Sequence, residues 1–255
     1  MIIATWNVNS ISVRLPQLID WLQTHKPNVV CLQETKTVDD KFPFEKLSEV
    51  GYNCEFFGER SYNGVAILSD RPIMNVRKGF IDGDEQSQKR LIEAEIDSVH
   101  IINVYIPNGS AVGSSKYEFK LDWLQRLHHH IAHNHDMNKQ LVLCGDFNIA
   151  TEDIDCYNAE LVKGTIMVSD AERSSLDQVK ALGFVDTFRM HNKEAGQFSW
   201  WDYRMGCFRR NMGFRIDHIW ASESLASQCE SVFIDKAPRK MERPSDHAPV
   251  VAKFN

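Results

Sequence analysis

At 255 residues with 43% hydrophobic content, the chain has the composition of an ordinary globular protein and is long enough for one large core or two small ones; one domain is expected. A formal net charge of -6 excludes a protein that holds polyanions by bulk charge, so contact with nucleic acid would require a local basic face or a metal ion. The six cysteines lie far apart with no Cys-x-x-Cys pair, and neither an export leader nor a run of about 18 apolar residues is present, so the reading is reduced thiols, no membrane span and a cytoplasmic monomer.

The chain opens with a strand-like run, Ile2 to Val8, leading into Asn7, Asn9 and Ser10, and Arg14 to Lys26 then repeats Leu15, Leu18, Ile19 and Leu22 at helical spacing. Pro27 ends that helix, and the short apolar run Val29 to Leu32 passes straight into Gln33, Glu34, Thr35 and Lys36. Phe42 to Val50 suggests a short helix. Cys54 to Phe57, Gly64 to Leu68, Met74 to Phe80, Leu91 to Ile96 and Val99 to Ile106 then read as closely spaced, antiparallel strands. The last of these ends at Tyr105, before the small loop Ser110 to Ser115. Tyr117 to Ile131 is an amphipathic helix with Leu121, Leu124, Leu127 and Ile131 on one face.

Leu141 to Cys144 is a buried-strand pattern that stops at Gly145, Asp146, Phe147 and Asn148, putting a carboxylate and an amide at a strand exit, where open sheets place ligands. Asp170 to Leu182 is a helix capped by Ser169, and Phe184 to Phe188 a short strand. An aromatic segment, Phe198 to Tyr203, precedes Arg204, Arg209, Arg210 and Arg215. Phe214 to Trp220 reads as a strand carrying Asp217 and His218. Val232 to Lys236 and the stretch Ser245 to Val251, with Asp246 and His247, close the chain.

Four carboxylates, Glu34, Asp146, Asp217 and Asp246, thus fall at or near strand ends, with Asn7, Tyr105, Asn148 and His247 in equivalent places. Singly, each has a plain reading: Asp246 caps a turn, Asp217 pairs with Arg215, Tyr105 is a half-buried strand residue. Together they are harder to explain so, because carboxylates gathered in one cleft raise one another's pKa unless a cation or a histidine faces them. Oxygen ligands without a Cys/His cluster favour Mg²⁺, or Mn²⁺, over Zn²⁺, with Glu34 the first ligand candidate. One carboxylate then remains to activate water, and a carboxylate-supported histidine to stabilise a phosphoryl group, an inventory for phosphodiester hydrolysis. His128, His129, His130, His133 and His135 read instead as a solvated helix end, since nothing acidic accompanies them in sequence.

In order, Thr5-Trp6-Asn7-Val8-Asn9, Leu32-Gln33-Glu34-Thr35-Lys36, Gly64-Val65-Ala66, Gly145-Asp146-Phe147-Asn148, the segments 185–189 and 198–204, Arg215-Ile216-Asp217 and Pro244-Ser245-Asp246-His247-Ala248-Pro249 closely resemble the exonuclease III family of abasic-site endonucleases, over nearly the whole chain. The resemblance implies a DNase I-like α/β fold, a four-layer sandwich of two mixed sheets flanked by helices. It also implies Mg²⁺-dependent cleavage of duplex DNA on the 5′ side of abasic sites, with 3′→5′ exonuclease and cleaning of blocked 3′ ends.

On that resemblance Glu34 and Asn7 hold the metal, Asp146 positions and activates water, and Asn148 helps hold the site. Tyr105 contacts the scissile phosphate and Asp217 orients His247, while Asp246 and His247 lie by a further metal position. Trp200, Phe214 and Ile216 wall a pocket for a base-less sugar, too small for an intact nucleotide. Lys116, Lys120, Arg204, Arg209, Arg210 and Arg215 are the expected phosphate-binding face. The loop Ser110 to Ser115 departs from relatives that carry a bulky or basic side chain there. The chain also begins at its first strand, a bacterial or archaeal build without the N-terminal extension of longer relatives. Two other readings stand at this point, a phosphoesterase acting on inositol phosphates or lipid headgroups and a DNA-binding protein with a dead site. The arginines after Trp200 weigh against the first, and the clustered acids, which repel phosphate, against the second.

Overall fold

The computed structural model describes residues 1–83 and 87–255. Among them are strands β1 (Ile2–Asn7), β2 (Val29–Gln33), β3 (Asn53–Phe57), β4 (Val65–Ser69), β5 (Met74–Lys78), β6 (Leu91–Ile96), β7 (Val99–Tyr105), β8 (Leu141–Asp146), β9 (Phe184–Asp186), β10 (Asp217–Ser222), β11 (Cys229–Ile234) and β12 (Val250–Phe254). The helices are α1 (Ile11–His25), α2 (Phe44–Glu49), α3 (Ser115–Asn134), α4 (Ala159–Val162), α5 (Asp170–Lys180), α6 (Thr187–His191) and α7 (Glu223–Ala226).

The strands form two six-stranded sheets, β11-β12-β1-β2-β4-β3 and β5-β6-β7-β8-β10-β9. Each is antiparallel except for one central parallel pair, β1 with β2 and β7 with β8. Both faces of the central strands are apolar, which is why they read as unbroken hydrophobic runs. Along β2 and β4, Val29, Cys31, Val65 and Ile67 enter the core between the sheets, while Val30, Leu32, Ala66 and Leu68 face outward beneath Leu15, Leu18 and Leu22 of α1. In the second sheet Val142 and Cys144 point inward, and Leu141 and Leu143 pack under Leu124 and Leu127 of α3 and Leu176 of α5. The result is the expected four-layer sandwich.

One polar bridge crosses the apolar middle. Gln33 donates to Asn103 Oδ1 (2.7 Å), and Asn103 donates in turn to the carbonyls of Leu32 (3.0 Å) and Ala66 (2.9 Å), so the buried Asn103 amide is satisfied and ties the two sheets together, while Gln33 Oε1 has no partner among the described residues. Six free, buried cysteines agree with the reading of reduced thiols. No helix among the described residues is long and apolar enough to cross a membrane.

Three expectations are corrected. The strand expected from Phe184 to Phe188 stops at Asp186, whose carboxylate accepts from the Phe188 and Arg189 amides and so starts α6. The strand expected from Phe214 begins at Asp217, because the Ile216 and Asp217 amides both donate to Ser199 Oγ instead of continuing the ladder. The histidine-rich helix end is not wholly solvated: His130 is buried and, with His100 and His135, faces Glu93, a residue from a distant strand that helical spacing could not bring into view.

Candidate active site

The two parallel pairs end on the same side of the molecule, and their registers set the site. Tyr105 pairs with Asp146, and Asp146 with Asp217, which places three candidate side chains abreast on neighbouring strands of the second sheet. Asn7, at the end of β1 beside Gln33, and Glu34, just past β2, come from the first. Gly145 makes the approach possible: at φ +143° a Cβ there would sit 1.9 Å from the Val104 carbonyl oxygen.

Asn7 joins the halves, its Nδ2 donating to Glu34 Oε1 (2.8 Å) and Asp146 Oδ2 (2.9 Å). Asp146 Oδ1 accepts from the Asn148 amide (2.9 Å), a short turn in which Asn148 adopts φ +52°. The Asn148 side chain donates to the Ile106 carbonyl (2.9 Å) and accepts from Asn108 (3.1 Å), which makes it a brace for the loops behind Asp146. Opposite, Asp217 holds His247 Nδ1 at 2.9 Å and leaves Nε2 facing Asp146 Oδ2 at 3.7 Å. Asp246 is held by Asn9 Nδ2 and Trp200 Nε1, both at 2.9 Å.

Burial shapes the charges. Asp146 is 1% exposed, and its pKa is pushed up to about 7, first by desolvation and then by Asp217 and Glu34, against the opposing pull of His247 and Asn7. For His247 burial works downward, but Asp217 and Asp146 outweigh it and raise the imidazole to about 10, so it is an imidazolium at neutral pH. Burial, with Glu34 and Asp146 nearby, also keeps Tyr105 protonated.

Donor atoms of Glu34, Asp146 and His247 lie within 4.8 Å of one another. Three carboxylates around one imidazolium leave an excess of negative charge, and Lys36 Nζ already stands 2.7 Å from Glu34 Oε2. Clustered carboxylate oxygens suit a hard divalent cation, and binding one would relieve the cost that lifts Asp146. Glu34 and Asp146, whose oxygens converge on Asn7 Nδ2, fit that role best; the Asn7 oxygen accepts from the Asn9 amide, the Asn148 oxygen from Asn108, and the Asp246 oxygens from Asn9 and Trp200.

Beside this centre Trp200 and Phe214 lie with ring centroids 6.0 Å apart, and Trp200 is 6.5 Å from the His247 ring. Ile216, expected as a third wall, is fully buried and supports these two from beneath. On the other flank a 430 Å³ groove runs past Tyr105 and Asn108, lined also by Arg60, Tyr62, Arg90 and Lys116. Arg90 stacks over Tyr105, 4.5 Å from its ring centroid. Arg60 and Arg90 were not legible from sequence, since neither adjoins a motif and only the folded groove gathers them; Lys36 and Asn9 stood within the quoted motifs.

Two expected phosphate contacts are corrected. Lys120 is fully buried, bound to Glu172 and donating to the carbonyls of Asn148 (2.8 Å) and Asn108 (3.2 Å), so it props the site's loops from below. Arg215, 1% exposed, is locked between Asp155 and Asp186. Lys116, Arg204, Arg209 and Arg210 are exposed, although Arg204 is forked onto Asp202.

The sequence profile described as the endonuclease/exonuclease/phosphatase family matches residues 4–247. The chain belongs to this family, in its exonuclease III branch. It is 34% identical to exodeoxyribonuclease III of Haemophilus influenzae, with 98% of each chain covered. Among solved structures it is similar to the 3′ phosphatase NExo from Neisseria bound to a product DNA hairpin, at 40% identity, a TM-score of 0.97, and 100% and 99% of the two chains covered. It is also similar to an AP endonuclease from Archaeoglobus fulgidus, at 38% identity, a TM-score of 0.96 and the same coverage.

Proposed function

We propose that this chain is a Mg²⁺-dependent DNA repair nuclease that hydrolyses the phosphodiester 5′ to abasic sites in duplex DNA. It also removes nucleotides and blocking groups from 3′ ends, and Mn²⁺ can replace Mg²⁺. The observation that carries this reading is Asp146: a buried carboxylate braced by Asn7 and Asn148 and faced by a charged His247. The aromatic wall on one side and the cationic groove on the other support a DNA substrate over a small phosphate ester.

When bound at Glu34, the cation supplies charge neutralisation for the phosphate and its leaving oxygen. Asp146, with a pKa near neutrality, takes a proton from the attacking water. His247, held by Asp217, presents Nε2–H to a non-bridging phosphoryl oxygen as charge builds there. The protonated Tyr105 offers its hydroxyl to the same phosphate. Water's oxygen bonds to phosphorus and the bond to the 3′ oxygen breaks; the departing oxygen takes a proton from solvent, leaving a 3′-hydroxyl and a 5′-phosphate. Trp200 and Phe214 receive the base-less sugar, which leaves the helix without a base pair to break.

A labelled duplex with one tetrahydrofuran abasic analogue, compared with an intact duplex, tests the reading. Cleavage immediately 5′ to the analogue is expected with Mg²⁺ and none with EDTA; the analogue cannot undergo β-elimination, so such a cut is hydrolysis. Shortening from 3′ ends with the analogue ignored would keep the nuclease and remove the abasic pocket. A duplex ending in a 3′-phosphate, run alongside, measures end cleaning.

Glu34→Gln keeps the side chain's size and removes its charge. Losing even an outer partner of a ligand costs 10–100-fold in metal affinity, so the Mg²⁺ concentration for half-maximal rate should rise by at least about 10-fold. An unchanged Mg²⁺ requirement would move the cation away from Glu34.

A further inference from the structure

A second constellation of ligand-type side chains lies at the opposite end of β7 from the active site. His100 stands five residues from Tyr105 along that strand, about 16 Å away at the strand rise. On β6, Leu91, Glu93 and Glu95 share the outer face, beneath the C-terminal half of α3, while Ile92, Ala94 and Ile96 enter the core between the sheets. The pattern calls for an apolar residue at Glu93, yet the position holds a carboxylate that is 1% exposed.

Among the described residues the side chains that bind this carboxylate are imidazoles, and Arg77 is its cross-strand partner on β5. His130 Nε2 binds Oε1, and Oε2 faces His100 Nε2 at 2.9 Å and His135 Nε2 at 3.2 Å. His135 Nε2 is buried, points at the carboxylate and has no aligned hydrogen bond. Donor atoms of Glu93, His100 and His135 lie within 4.8 Å of one another. In a tetrahedral zinc site with bonds of 2.0–2.1 Å, ligand atoms sit about 3.3 Å apart, so small rotations of these side chains suffice. Two imidazoles and one carboxylate, with the carboxylate's second oxygen fixed by another residue, form a donor set with its outer support in place. A 200 Å³ cleft lined by Arg77, Glu95, Asn134 and Lys139 opens onto His100 and His135, giving an ion a way in and water a fourth position. Imidazole nitrogen suits Zn²⁺ and leaves Mg²⁺ disfavoured, the reverse of the oxygen-rich site at Glu34.

We propose that Glu93, His100 and His135 bind one Zn²⁺ ion, with His130 bracing the carboxylate, at a structural site independent of the nuclease centre. The ion ties the β6–β7 pair to the end of α3.

The test uses the full chain without a polyhistidine tag, stripped by a chelator and held in saturating Mg²⁺ so that the nuclease centre is occupied. Calorimetric titration with Zn²⁺ should give one tight site per chain, and the melting temperature should rise with Zn²⁺ concentration. His100→Ala and His135→Ala, both at the cleft's rim, should weaken binding on the order of 100-fold, and His130→Gln about 10-fold, while Mg²⁺-dependent cleavage stays at the wild-type rate. His129→Ala with His133→Ala, the stacked surface pair on the same helix, should change nothing. Zn²⁺ binding unaltered in the His100→Ala/His135→Ala double variant would overturn the proposal, as would loss of binding in the His129/His133 variant alone. Co²⁺ in the wild-type protein decides the matter even if a variant fails to fold. Intense visible bands of a four- or five-coordinate ion are expected, and only the weak bands of an octahedral one would refute the site.

Discussion

Asp146→Asn is expected to lower the single-turnover cleavage rate roughly 10³-fold, the range for losing a positioned general base, while duplex binding should stay within a few-fold of wild type. The side chain keeps its shape, so Oδ1 can still accept from the Asn148 amide, and the turn that aims residue 146 survives. What disappears is the proposed proton acceptor. Folding should suffer little, because the relief of a buried charge that desolvation, Asp217 and Glu34 oppose offsets the hydrogen bond that Oδ2 no longer accepts from Asn7. Binding should not suffer either, since a carboxylate facing phosphate is repulsive in the ground state. Single-turnover kinetics with enzyme in excess, beside fluorescence anisotropy of the same duplex in EDTA, separates the two quantities.

The pH profile gives the same substitution a second readout. With the Asp146 pKa near 7 in the absence of a cation, the base form grows as pH rises, so cleavage should increase through that range. A cation prefers the carboxylate over the acid, so raising Mg²⁺ should move the acid limb to lower pH. Asp146→Asn should lose that Mg²⁺-dependent limb. A variant within tenfold of the wild-type rate, with the limb intact, would transfer the base's role to another group.

The sequence was most informative where strands leave the core. An apolar run that stops at a carboxylate marks a strand exit whatever its partners, so Asp146 and Glu34 were readable one strand at a time. Their meeting was not. The Asn7 amide that bridges them belongs to the other sheet from Asp146, and the register placing Tyr105, Asp146 and Asp217 abreast depends on long-range pairing. Charge was the weakest guide. Lys120, Arg215, Lys116 and Arg210 look alike in sequence, yet the first two are buried against carboxylates from distant segments and the last two meet solvent. Glu93 shows the reverse: nothing in its own strand sets it apart, and only α3 laid over it buries the carboxylate.

Arg215 supplies the largest expected effect on stability. Its Nε and Nη2 grip both oxygens of Asp155 (2.7 and 2.9 Å), and Nη2 also reaches Asp186 (2.7 Å), all in a site closed to water. Arg189 still serves Asp155 if Arg215 is lost, but Asp186 keeps only backbone amides. Arg215→Met fills the space and strands that charge, so a loss of about 3–5 kcal/mol is expected at pH 7.5 in urea denaturation.

The loss should shrink in acid, because His218 lies 3.0 Å from Arg215 and is held neutral there. Burial first, and then the guanidinium, depress its pKa to about 4 against an ordinary 6.5. In the wild type the unfolded chain therefore binds a proton that the folded one refuses, and stability falls as pH drops from 6.5 toward 4. Asp155 and Asp186, both held below the ordinary carboxylate range, contribute stability above about pH 4 that is lost only at still lower pH. Without Arg215 the repulsion on His218 is gone and two carboxylates remain, so His218 can take up a proton and stand in for the missing charge. The destabilisation at pH 5 should accordingly be smaller than at pH 7.5. Equal losses at both pH values would remove His218 from the network, and a loss under about 1 kcal/mol would mean that Asp186 finds another partner. Below the variant's melting temperature its DNA affinity and salt dependence should match the wild type, whereas Lys116→Ala should weaken binding and flatten the salt slope, the mark of a residue that does meet phosphate.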